Sequence, residues 1–267
     1  MNPTEPKAIQ ALCEIARQAG DAIMQVYEHS SAVQYKDDNS PLTEADLQSD
    51  ALIRQGLESL FPGVFVWSEE SRSAQADAAC FFLVDPLDGT REFVNRNGEF
   101  TVNIAWVEQG RAVLGLIHVP VTGEMFWAVK GSGTWYQPNA QAHPLRLNSA
   151  EGVPLSPLRV LSSRSHATTG RTLDWFRAVK VPYTTVEAGS ALKFCRLAQG
   201  QADVYPRLGP TCQWDTAAGQ VIVEEAGGLL LGPDGLPLRY GLDRPVLNPD
   251  FLVLAQPGLL KQLPWPV

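Results

Sequence analysis

The chain of 267 residues is long enough to bury a sizeable hydrophobic core, as one large domain or as two closely packed ones. Its apolar fraction of 45% and charged fraction of 19% are typical of a globular protein. The net charge of −8 argues against binding to a nucleic-acid polymer or to an anionic membrane, because both need basic patches.

The first half of the chain is predicted to be two helices followed by a meander sheet. Apolar residues at helical spacing predict a helix over Pro6 to Tyr27. Thr43 is a good N-cap for a second helix that ends near Leu60, and Asp46 has the position of a capping-box acid. The expected strands cover Val64–Trp67, Cys80–Val84, Thr101–Val107, Ala112–Val119 and Glu124–Val129, with a glycine-rich turn over Gly131–Thr134.

In the second half, strands and helices are predicted to alternate. Pro, Ser, Asn and Gly concentrate between Pro138 and Pro157, which predicts a boundary between an N-terminal α+β domain, residues 1–145, and a C-terminal α/β domain, residues 146–267. The expected strands cover Leu158–Leu161, Val181–Val186, Ala202–Tyr205, Leu229–Leu231 and Phe251–Leu254. The expected helices cover Thr169–Val179, Ser190–Ala198 and Asp215–Ala226, the last closed by two glycines.

One short stretch, Asp85-Pro86-Leu87-Asp88-Gly89-Thr90, carries the strongest chemical signal. It follows the unbroken apolar run Cys80–Val84, which is typical of a strand buried on both faces. A carboxylate at the mouth of a buried strand is unfavourable unless it is paired or bound to a cation. Proline stiffens the turn and glycine lets the backbone fold close to a ligand. Hard oxygen donors on a stiff turn suggest Mg²⁺ held together with a substrate phosphate.

Two other interpretations of this stretch are open. It could be an ordinary Asp-Gly turn. It also looks like the tail of the Asp-x-Asp-Gly-Thr motif of phosphatases that form an aspartyl-phosphate, but Pro86 occupies the position of their nucleophile.

Three further acidic residues, Asp46, Glu69 and Asp215, follow a predicted strand or begin a helix. Each alone has a structural explanation, as a capping acid, a solvated loop acid or a favourable charge at a helix N-terminus. Together with the Asp85–Thr90 stretch they indicate a metal site.

Several motifs resemble those of the inositol monophosphatase superfamily, whose members are Mg²⁺-dependent, lithium-sensitive phosphomonoesterases. They are Trp67-Ser68-Glu69-Glu70-Ser71, Asp85–Phe93, Trp214-Asp215 and Glu225-Ala226-Gly227-Gly228, in the family's order and over nearly the whole chain. The segments Lys36–Asp46, Ser163–His166, Gly189–Phe194 and Asp203–Arg207 are most similar to the bacterial CysQ group of 3'(2'),5'-bisphosphate nucleotidases. The resemblance implies an α-β-α-β-α layered sandwich.

The resemblance also implies roles for individual residues. Two or three Mg²⁺ ions would be held by Glu69, Asp85, the backbone carbonyl of Leu87, Asp88 and Asp215. Thr90, hydrogen-bonded to Asp46, would orient the attacking water and help to remove its proton, with assistance from Glu69. Substrate contacts are expected from Glu69, Leu87, Asp88, Gly89, Thr90 and Asp215, and the amides of Gly89 and Thr90 would cradle the phosphate.

A bisphosphate nucleotide needs a base pocket and a second phosphate site as well. The candidates for both are Ser163, Ser165, His166, Gly189 and Arg207. For His166 and Arg207 an alternative without a substrate role is equally good. His166 could be an ordinary histidine in a surface turn, and Arg207 a solvated charge at the end of a strand.

The main hypothesis from the sequence is therefore hydrolysis of 3'-phosphoadenosine 5'-phosphate to AMP and phosphate, in sulfur metabolism. An inositol monophosphatase or a fructose-1,6-bisphosphatase on the same metal core is the alternative. A retired enzyme that only binds metal or nucleotide would have lost one of Glu69, Asp85, Asp88, Thr90 or Asp215, and all five are present.

No apolar stretch approaches the roughly 18 residues that span a bilayer. The N-terminus also lacks the basic and apolar regions of a secretory signal, so the simplest expectation is a cytoplasmic protein. The resemblance leaves open a peripheral association with the cytoplasmic side of the inner membrane, and either a monomer or a homodimer.

Overall fold

Helices and sheets alternate in five layers in the computed structural model, which describes residues 1–29, 33–35, 41–71, 78–147, 156–164 and 170–265. A seven-stranded and a five-stranded sheet lie on either side of a central helical layer, and further helices cover the outer face of each sheet. This is the α-β-α-β-α arrangement that the resemblance implied.

The helices are α1 (Pro6–Glu28), α2 (Glu44–Leu60), α3 (Thr90–Val94), α4 (Arg171–Ala178), α5 (Leu192–Ala198), α6 (Gln213–Glu225) and a 3-10 helix (Pro257–Gln262). A two-stranded ribbon comprises β1 (Val33–Tyr35) and β2 (Pro41–Thr43). The seven-stranded sheet has, in spatial order, β3 (Val66–Ser68), β4 (Cys80–Asp88), β5 (Thr101–Glu108), β6 (Arg111–Val119), β7 (Glu124–Val129), β8 (Gly133–Gln137) and β9 (Leu145–Leu147). The five-stranded sheet has the order β11 (Tyr183–Ala188), β10 (Leu158–Ser163), β12 (Val204–Arg207), β14 (Phe251–Leu254) and β13 (Leu229–Leu231).

The outer helices α1 and α2 pack side by side on one face of the seven-stranded sheet. Their apolar faces, including Leu12, Ile23 and Ile53, meet the side chains of β4 to β7 in one buried cluster. Each strand of this sheet from β4 onward is antiparallel to its neighbour, and only β3 runs parallel to β4.

The central layer consists of α5 and α6, which contact both sheets. Close packing of α6 against β6 depends on Gly115, because a Cβ atom there would lie 2.2 Å from the carbonyl oxygen of Ala218. In the five-stranded sheet β10 runs parallel to β11 and β12, while β14 runs antiparallel to β12 and β13. Helix α4 and the 3-10 helix close the outer face.

Two details of the first sheet differ from the sequence prediction. The strand β4 does not stop at Val84 but continues through Pro86 to Asp88, because Asp85 and Asp88 pair with β5 across a bulge, where a proline is tolerated. The meander also has two more strands, β8 and β9. The expected turn is present at Gly131 and Ser132, but it is shorter than predicted, because Gly133 already pairs with Val129 of β7 and begins β8. Glu225 of α6 accepts hydrogen bonds from the amides of Gly131 and Gly133.

The strand β9 ends at Leu147, so the first sheet continues to the edge of the predicted C-terminal domain. The division into two domains stays a prediction. Within the residues described, we find no helix that is both long enough and apolar enough to span a membrane.

Candidate active site

The N-terminal turn of α2 supplies the first acidic residue of the site. Thr43 and Asp46 form the predicted capping box, in which Asp46 Oδ2 accepts hydrogen bonds from the Thr43 amide at 2.8 Å and its hydroxyl at 2.6 Å. The other oxygen, Asp46 Oδ1, accepts a hydrogen bond from Thr90 Oγ1 at 3.2 Å. The predicted bond between Thr90 and Asp46 is therefore present, and it joins α2 to the first residue of α3.

The end of β4 supplies two more carboxylates. Asp85 is 1% exposed, and its Oδ1 accepts a hydrogen bond from the Leu87 amide at 3.1 Å. The Leu87 carbonyl oxygen lies 3.4 Å from Thr90 Oγ1. Asp88 lies at the last position of the strand, and its Oδ2 accepts hydrogen bonds from the Ala191 amide at 2.5 Å and from Asn103 Nδ2 at 3.3 Å. The segment before α5 thus contacts the end of β4 directly.

Carboxylates from distant parts of the chain converge beside Asp85. Oxygen atoms of Glu69, after β3, of Asp85 and of Asp215, in the first turn of α6, all lie within 4.8 Å of one another. Asp215 is fixed by its own capping interaction, because its Oδ2 accepts a hydrogen bond from the Cys212 amide at 2.7 Å. The structure therefore brings together three of the four predicted carboxylate ligands. Asp88 is not part of this group of three, although its charge is near enough to raise the pKa of Asp85 and of Asp215.

Burial and mutual repulsion disfavour the ionised form of the carboxylates in this cluster. Burial raises the pKa of Asp85 well above its ordinary value, and the charges of Glu69 and Asp88 raise it further. The pKa of Asp215 is raised in the same way, by burial and then by Asp88 and Glu69. Burial also raises the pKa of Asp88 to about 6, although the Lys193 ammonium opposes the shift. Hard oxygen donors that repel one another at this range fit a divalent cation between them.

The cluster opens into a cavity of about 230 Å³ between the seven-stranded sheet and the C-terminal half. Two cationic side chains of the C-terminal half share that cavity with the carboxylates, and the exposed Arg91 of α3 also lines it. Lys193, on α5, is 5% exposed, and burial lowers its pKa to about 8 against the opposing charge of Asp88. Its Nζ donates to the Ala188 carbonyl at 3.3 Å and lies 5.5 Å from the ring centre of Tyr205.

Arg207, at the end of β12, is the second cation of the cavity. Its Nη2 donates to the Pro210 carbonyl at 2.7 Å, whereas its buried Nε has no hydrogen-bond partner among the described residues. A buried guanidinium donor without a partner is unfavourable, so it favours an anionic ligand at this point.

The remaining sequence candidates have different surroundings. Ser163 lines the cavity, as do Gly89 and Thr90. Gly189 is not among the described residues that line it, and its amide donates to Glu99 Oε2 at 2.8 Å. Ser165 and His166 lie outside the described residues.

Ser190, Lys193 and Tyr205 also line the cavity. They belong to the segments Gly189–Phe194 and Asp203–Arg207 that carry the resemblance, but no site role was predicted for them. The sequence feature that could have pointed to Lys193 is its position between two apolar residues, Leu192 and Phe194, in a short helix. Lysine is rarely buried unless it is paired, so such a position marks a candidate site residue only once its neighbours are known.

Comparison with known proteins identifies the family. Residues 6–263 match the model of the inositol monophosphatase family. The chain belongs to the inositol monophosphatase family. The family assignment agrees with the resemblance found in the motifs, and the match includes every carboxylate of the acidic cluster.

Relatives within the inositol monophosphatase family cover almost the full length of the chain. The 3'(2'),5'-bisphosphate nucleotidase CysQ of Salmonella typhimurium is 42% identical over 250 residues, which cover 92% of this chain and 98% of the relative. The CysQ protein of Escherichia coli K12 is 41% identical with the same coverage. The crystal structure of CysQ from Bacteroides thetaiotaomicron, which is 34% identical, superposes with a TM-score of 0.81 and covers 96% of this chain and 99% of that one.

Proposed function

We propose that the chain is a Mg²⁺-dependent phosphomonoesterase that hydrolyses 3'-phosphoadenosine 5'-phosphate to AMP and inorganic phosphate. The nearly full-length similarity to proteins named 3'(2'),5'-bisphosphate nucleotidase supports this substrate class. The most direct support is the cavity itself, in which an acidic cluster lies beside Lys193 and Arg207. Carboxylates suited to a divalent cation and cationic side chains suited to phosphate oxygens are the two groups that a bisphosphate needs.

Five groups would hold the Mg²⁺ ions: the side chains of Glu69, Asp85, Asp88 and Asp215 and the Leu87 carbonyl. We propose that these groups would hold two or three ions. Bound divalent cations supply positive charge that polarises a phosphoryl oxygen, stabilises the leaving oxygen and lowers the pKa of water beside the phosphorus. The raised pKa values of Asp85 and Asp215 agree with this role, because a cation relieves their repulsion.

Thr90 and Asp46 would handle the proton of the attacking water. Thr90 Oγ1 donates its own proton toward Asp46 Oδ1, which leaves a lone pair of the hydroxyl oxygen to accept a hydrogen bond from water. Asp46 Oδ2 is held by Thr43, so the carboxylate cannot rotate away from Thr90. Glu69 would assist from the opposite side of the cluster.

The phosphate to be hydrolysed would lie between the acidic cluster and α3. Gly89 has a φ of 92°, a left-handed conformation that glycine adopts without strain, and it directs the chain into α3. The first amides of a helix have no partner within the helix, so those of Gly89 and Thr90 would donate to phosphate oxygens. The water oxygen then forms a bond to phosphorus and gives up a proton toward Thr90 and Asp46, while the bond from phosphorus to the ribose 3' oxygen breaks. The released 3' oxygen takes up a proton from solvent, which gives AMP and inorganic phosphate.

The second phosphate and the nucleoside would contact the wall formed by the C-terminal half. Arg207 is the strongest candidate for the 5'-phosphate because its buried Nε lacks a partner among the described residues. Ser163, and with it Ser165 and His166 of the neighbouring undescribed segment, would contact the nucleoside. Cytoplasmic location, inner-membrane association and the choice between monomer and homodimer stay predictions.

A comparison of substrates tests the proposal. Purified protein is treated with EDTA, Mg²⁺ is restored, and phosphate release is measured from 3'-phosphoadenosine 5'-phosphate, inositol 1-phosphate and fructose 1,6-bisphosphate. We expect kcat/KM to be higher for the nucleotide by about tenfold or more, the equivalent of one additional charged hydrogen bond. Faster turnover of inositol phosphate would assign the chain to the alternative activity, and turnover that survives EDTA would contradict the metal assignment.

A further inference from the structure

Two carboxylates from the N-terminal half hold the three residues that precede α5. Asp88 Oδ2 accepts the hydrogen bond of the Ala191 amide, and Glu99 Oε2 accepts that of the Gly189 amide at 2.8 Å. Ser190 lies between these two anchored amides and lines the cavity. The position of Ser190 relative to the acidic cluster is therefore fixed from both sides by the other half of the chain.

Glu99 is itself oriented by Arg164, which follows the last residue of β10. Arg164 Nε donates to Glu99 Oε2 at 2.9 Å, and its Nη2 donates to Glu99 Oε1 at 3.0 Å, which is a bidentate pair. The same guanidinium donates through Nη1 to Glu187 Oε2 at 3.1 Å and through Nη2 to the Glu187 carbonyl at 3.3 Å. Arg164 thus connects β10, β11 and the turn before β5.

Ser190 has a backbone conformation that needs such support. Its φ of 42° lies in the left-handed region, which non-glycine residues adopt only at a cost in free energy. Such strain persists where neighbouring contacts determine the conformation. Crowding at Gly189 points the same way, because a Cβ atom there would lie 2.6 Å from Glu92 Cγ and 2.8 Å from the Glu99 carbonyl oxygen. The two halves are therefore in close contact immediately before the strained residue.

We propose that Glu99, oriented by Arg164, is a positioning residue that determines how tightly the enzyme binds the nucleoside part of its substrate. It acts through the Gly189–Ala191 segment, which it holds in place beside the cavity, and not by contact with the reacting phosphate. This inference rests on the proposed function for the identity of the substrate. The positioning of the segment itself does not depend on that function.

Glu99 differs from an ordinary surface ion-pair residue in having three donors on two oxygens. Partly exposed ion pairs contribute little on their own. In Glu99, however, Oε2 receives the Gly189 amide and Arg164 Nε together, while Oε1 receives Arg164 Nη2. A glutamine at this position must turn its own amide N–H groups toward at least one of these donors, so Glu99→Gln loosens the segment with little change in size.

Asp250→Asn provides a matched control. Asp250 also binds an arginine with both carboxylate oxygens, Arg171 Nη1 and Nη2, but it accepts no backbone amide of the cavity wall. The side chains of Asp250 and Glu99 are similarly exposed, 20% and 22%. Asp250 lies before β14 and is not among the described residues that line the cavity.

The experiment compares wild type, Glu99→Gln and Asp250→Asn in two assays. For 3'-phosphoadenosine 5'-phosphate we expect Glu99→Gln to raise KM about tenfold with a much smaller change in kcat, and to leave kcat/KM for a small phosphomonoester such as β-glycerophosphate at the control value. Hydrogen exchange by mass spectrometry should show faster exchange in peptides containing Gly189 and Ala191 in Glu99→Gln only.

The two assays keep the inference separate from the proposed function. A wild-type protein that does not hydrolyse the nucleotide would refute the function, while the exchange assay would still decide whether Glu99 holds the segment. Unchanged exchange, or a KM equal to that of Asp250→Asn, would overturn the inference. If Glu99→Gln does not fold, Arg164→Met replaces it, because this variant keeps Glu99 but removes the guanidinium that orients it. Unchanged hydrogen exchange, or a KM equal to that of Asp250→Asn, would again overturn the inference.

Discussion

Replacement of Asp88 by asparagine should stabilise the metal-free protein while it abolishes turnover. In the absence of a cation the Asp88 carboxylate is partly buried near other acids, and its desolvation raises its pKa from 3.8 to about 6. Asparagine keeps an oxygen that can accept the Ala191 amide. The same oxygen can accept Asn103 Nδ2, which lies 3.3 Å from Asp88 Oδ2. The exchange therefore removes the charge and keeps the contacts.

The magnitude follows from the pKa change. A rise from 3.8 to about 6 corresponds to roughly 3 kcal/mol of destabilisation by the charged form, at 1.36 kcal/mol per pKa unit. Part of this gain is lost because Asp88 also supports the charge of Lys193, whose pKa it raises. We therefore expect Asp88→Asn to increase the free energy of unfolding by about 1–2 kcal/mol in EDTA at neutral pH.

The pH dependence has a definite sign. A carboxyl group whose pKa is higher in the folded than in the unfolded protein binds more protons in the folded state between the two values, so stability falls as pH rises through that range. For Asp88 the range is from 3.8 to about 6. Urea unfolding in EDTA should show the advantage of Asp88→Asn in full above about pH 6 and no advantage below about pH 4. Saturating Mg²⁺ should reverse the order of stability, because wild type gains the binding energy of the ions.

Asp203→Asn serves as the control for burial of a carboxylate. Asp203 is 2% exposed, but its two oxygens pair with Arg159. Loss of that charge should destabilise the protein by about 1–3 kcal/mol in EDTA and in Mg²⁺ alike. An Asp88→Asn protein that is less stable than wild type in EDTA, or one that retains turnover, would refute the reasoning about the acidic cluster.

Two further predictions concern Thr90 and His118. Thr90→Val should leave folding intact but lower kcat, measured as phosphate release, by about 10²–10⁴-fold. Thr90→Ser keeps the hydroxyl and should retain most of the wild-type kcat. Equal activity of the two variants would exclude the hydroxyl from proton transfer. His118 is buried, which lowers its pKa from 6.5 to about 4, so the folded protein resists its protonation and stability falls as pH drops between these values. In urea titrations, His118→Gln should remove this loss of stability at low pH, which amounts to up to roughly 3 kcal/mol. A variant whose free energy of unfolding falls with pH as steeply as that of wild type would contradict the prediction.

Local patterns in the sequence predict most of the elements. Helical spacing of apolar residues locates α1, and the Thr43–Asp46 capping box locates the start of α2. The sequence pattern does not show where the hydrogen-bonded pairing of two strands continues past a residue that is typical of turns. Pro86 suggests the end of a strand, but the bulge keeps β4 paired with β5 as far as Asp88. The turn glycine Gly133 begins β8 because α6 binds its amide, a contact between residues 92 positions apart in the chain.

The predicted parts of the site are likewise those with a local sequence pattern, and the parts that were missed depend on contacts between residues far apart in the chain. The carboxylates follow predicted strands or begin predicted helices, so their convergence could be anticipated from the motifs. Glu99 and Arg164 belong to no periodic pattern, and they meet across 65 residues of chain. Lys193 is polar in a helix whose neighbours are buried, and only the three-dimensional structure places Asp88 beside it.

Helix α2 explains how the acidic cluster can be assembled from loops that are far apart in the sequence. Asp46, Ser49 and Asp50 lie on one face of its first turns, and each bonds a different segment of the site. Asp46 binds Thr90, and Ser49 Oγ donates to the Pro86 carbonyl at 2.7 Å. Asp50 accepts hydrogen bonds from the hydroxyls of the two serines that flank Glu69 and Glu70, at 2.5 and 3.1 Å.

Ser49 and Asp50 are 0% and 8% exposed, although a polar pair in a helix would ordinarily be predicted to face solvent. Their burial means that a shift of α2 would move the loops of Glu69, Asp85 and Thr90 together and keep their mutual distances. The loops of Glu69, Asp85 and Thr90 are therefore positioned by contacts to one helix. Asp215 is positioned separately, by its own capping interaction at the start of α6, and the wall proposed to bind the nucleoside is held by the contact between Glu99 and Arg164.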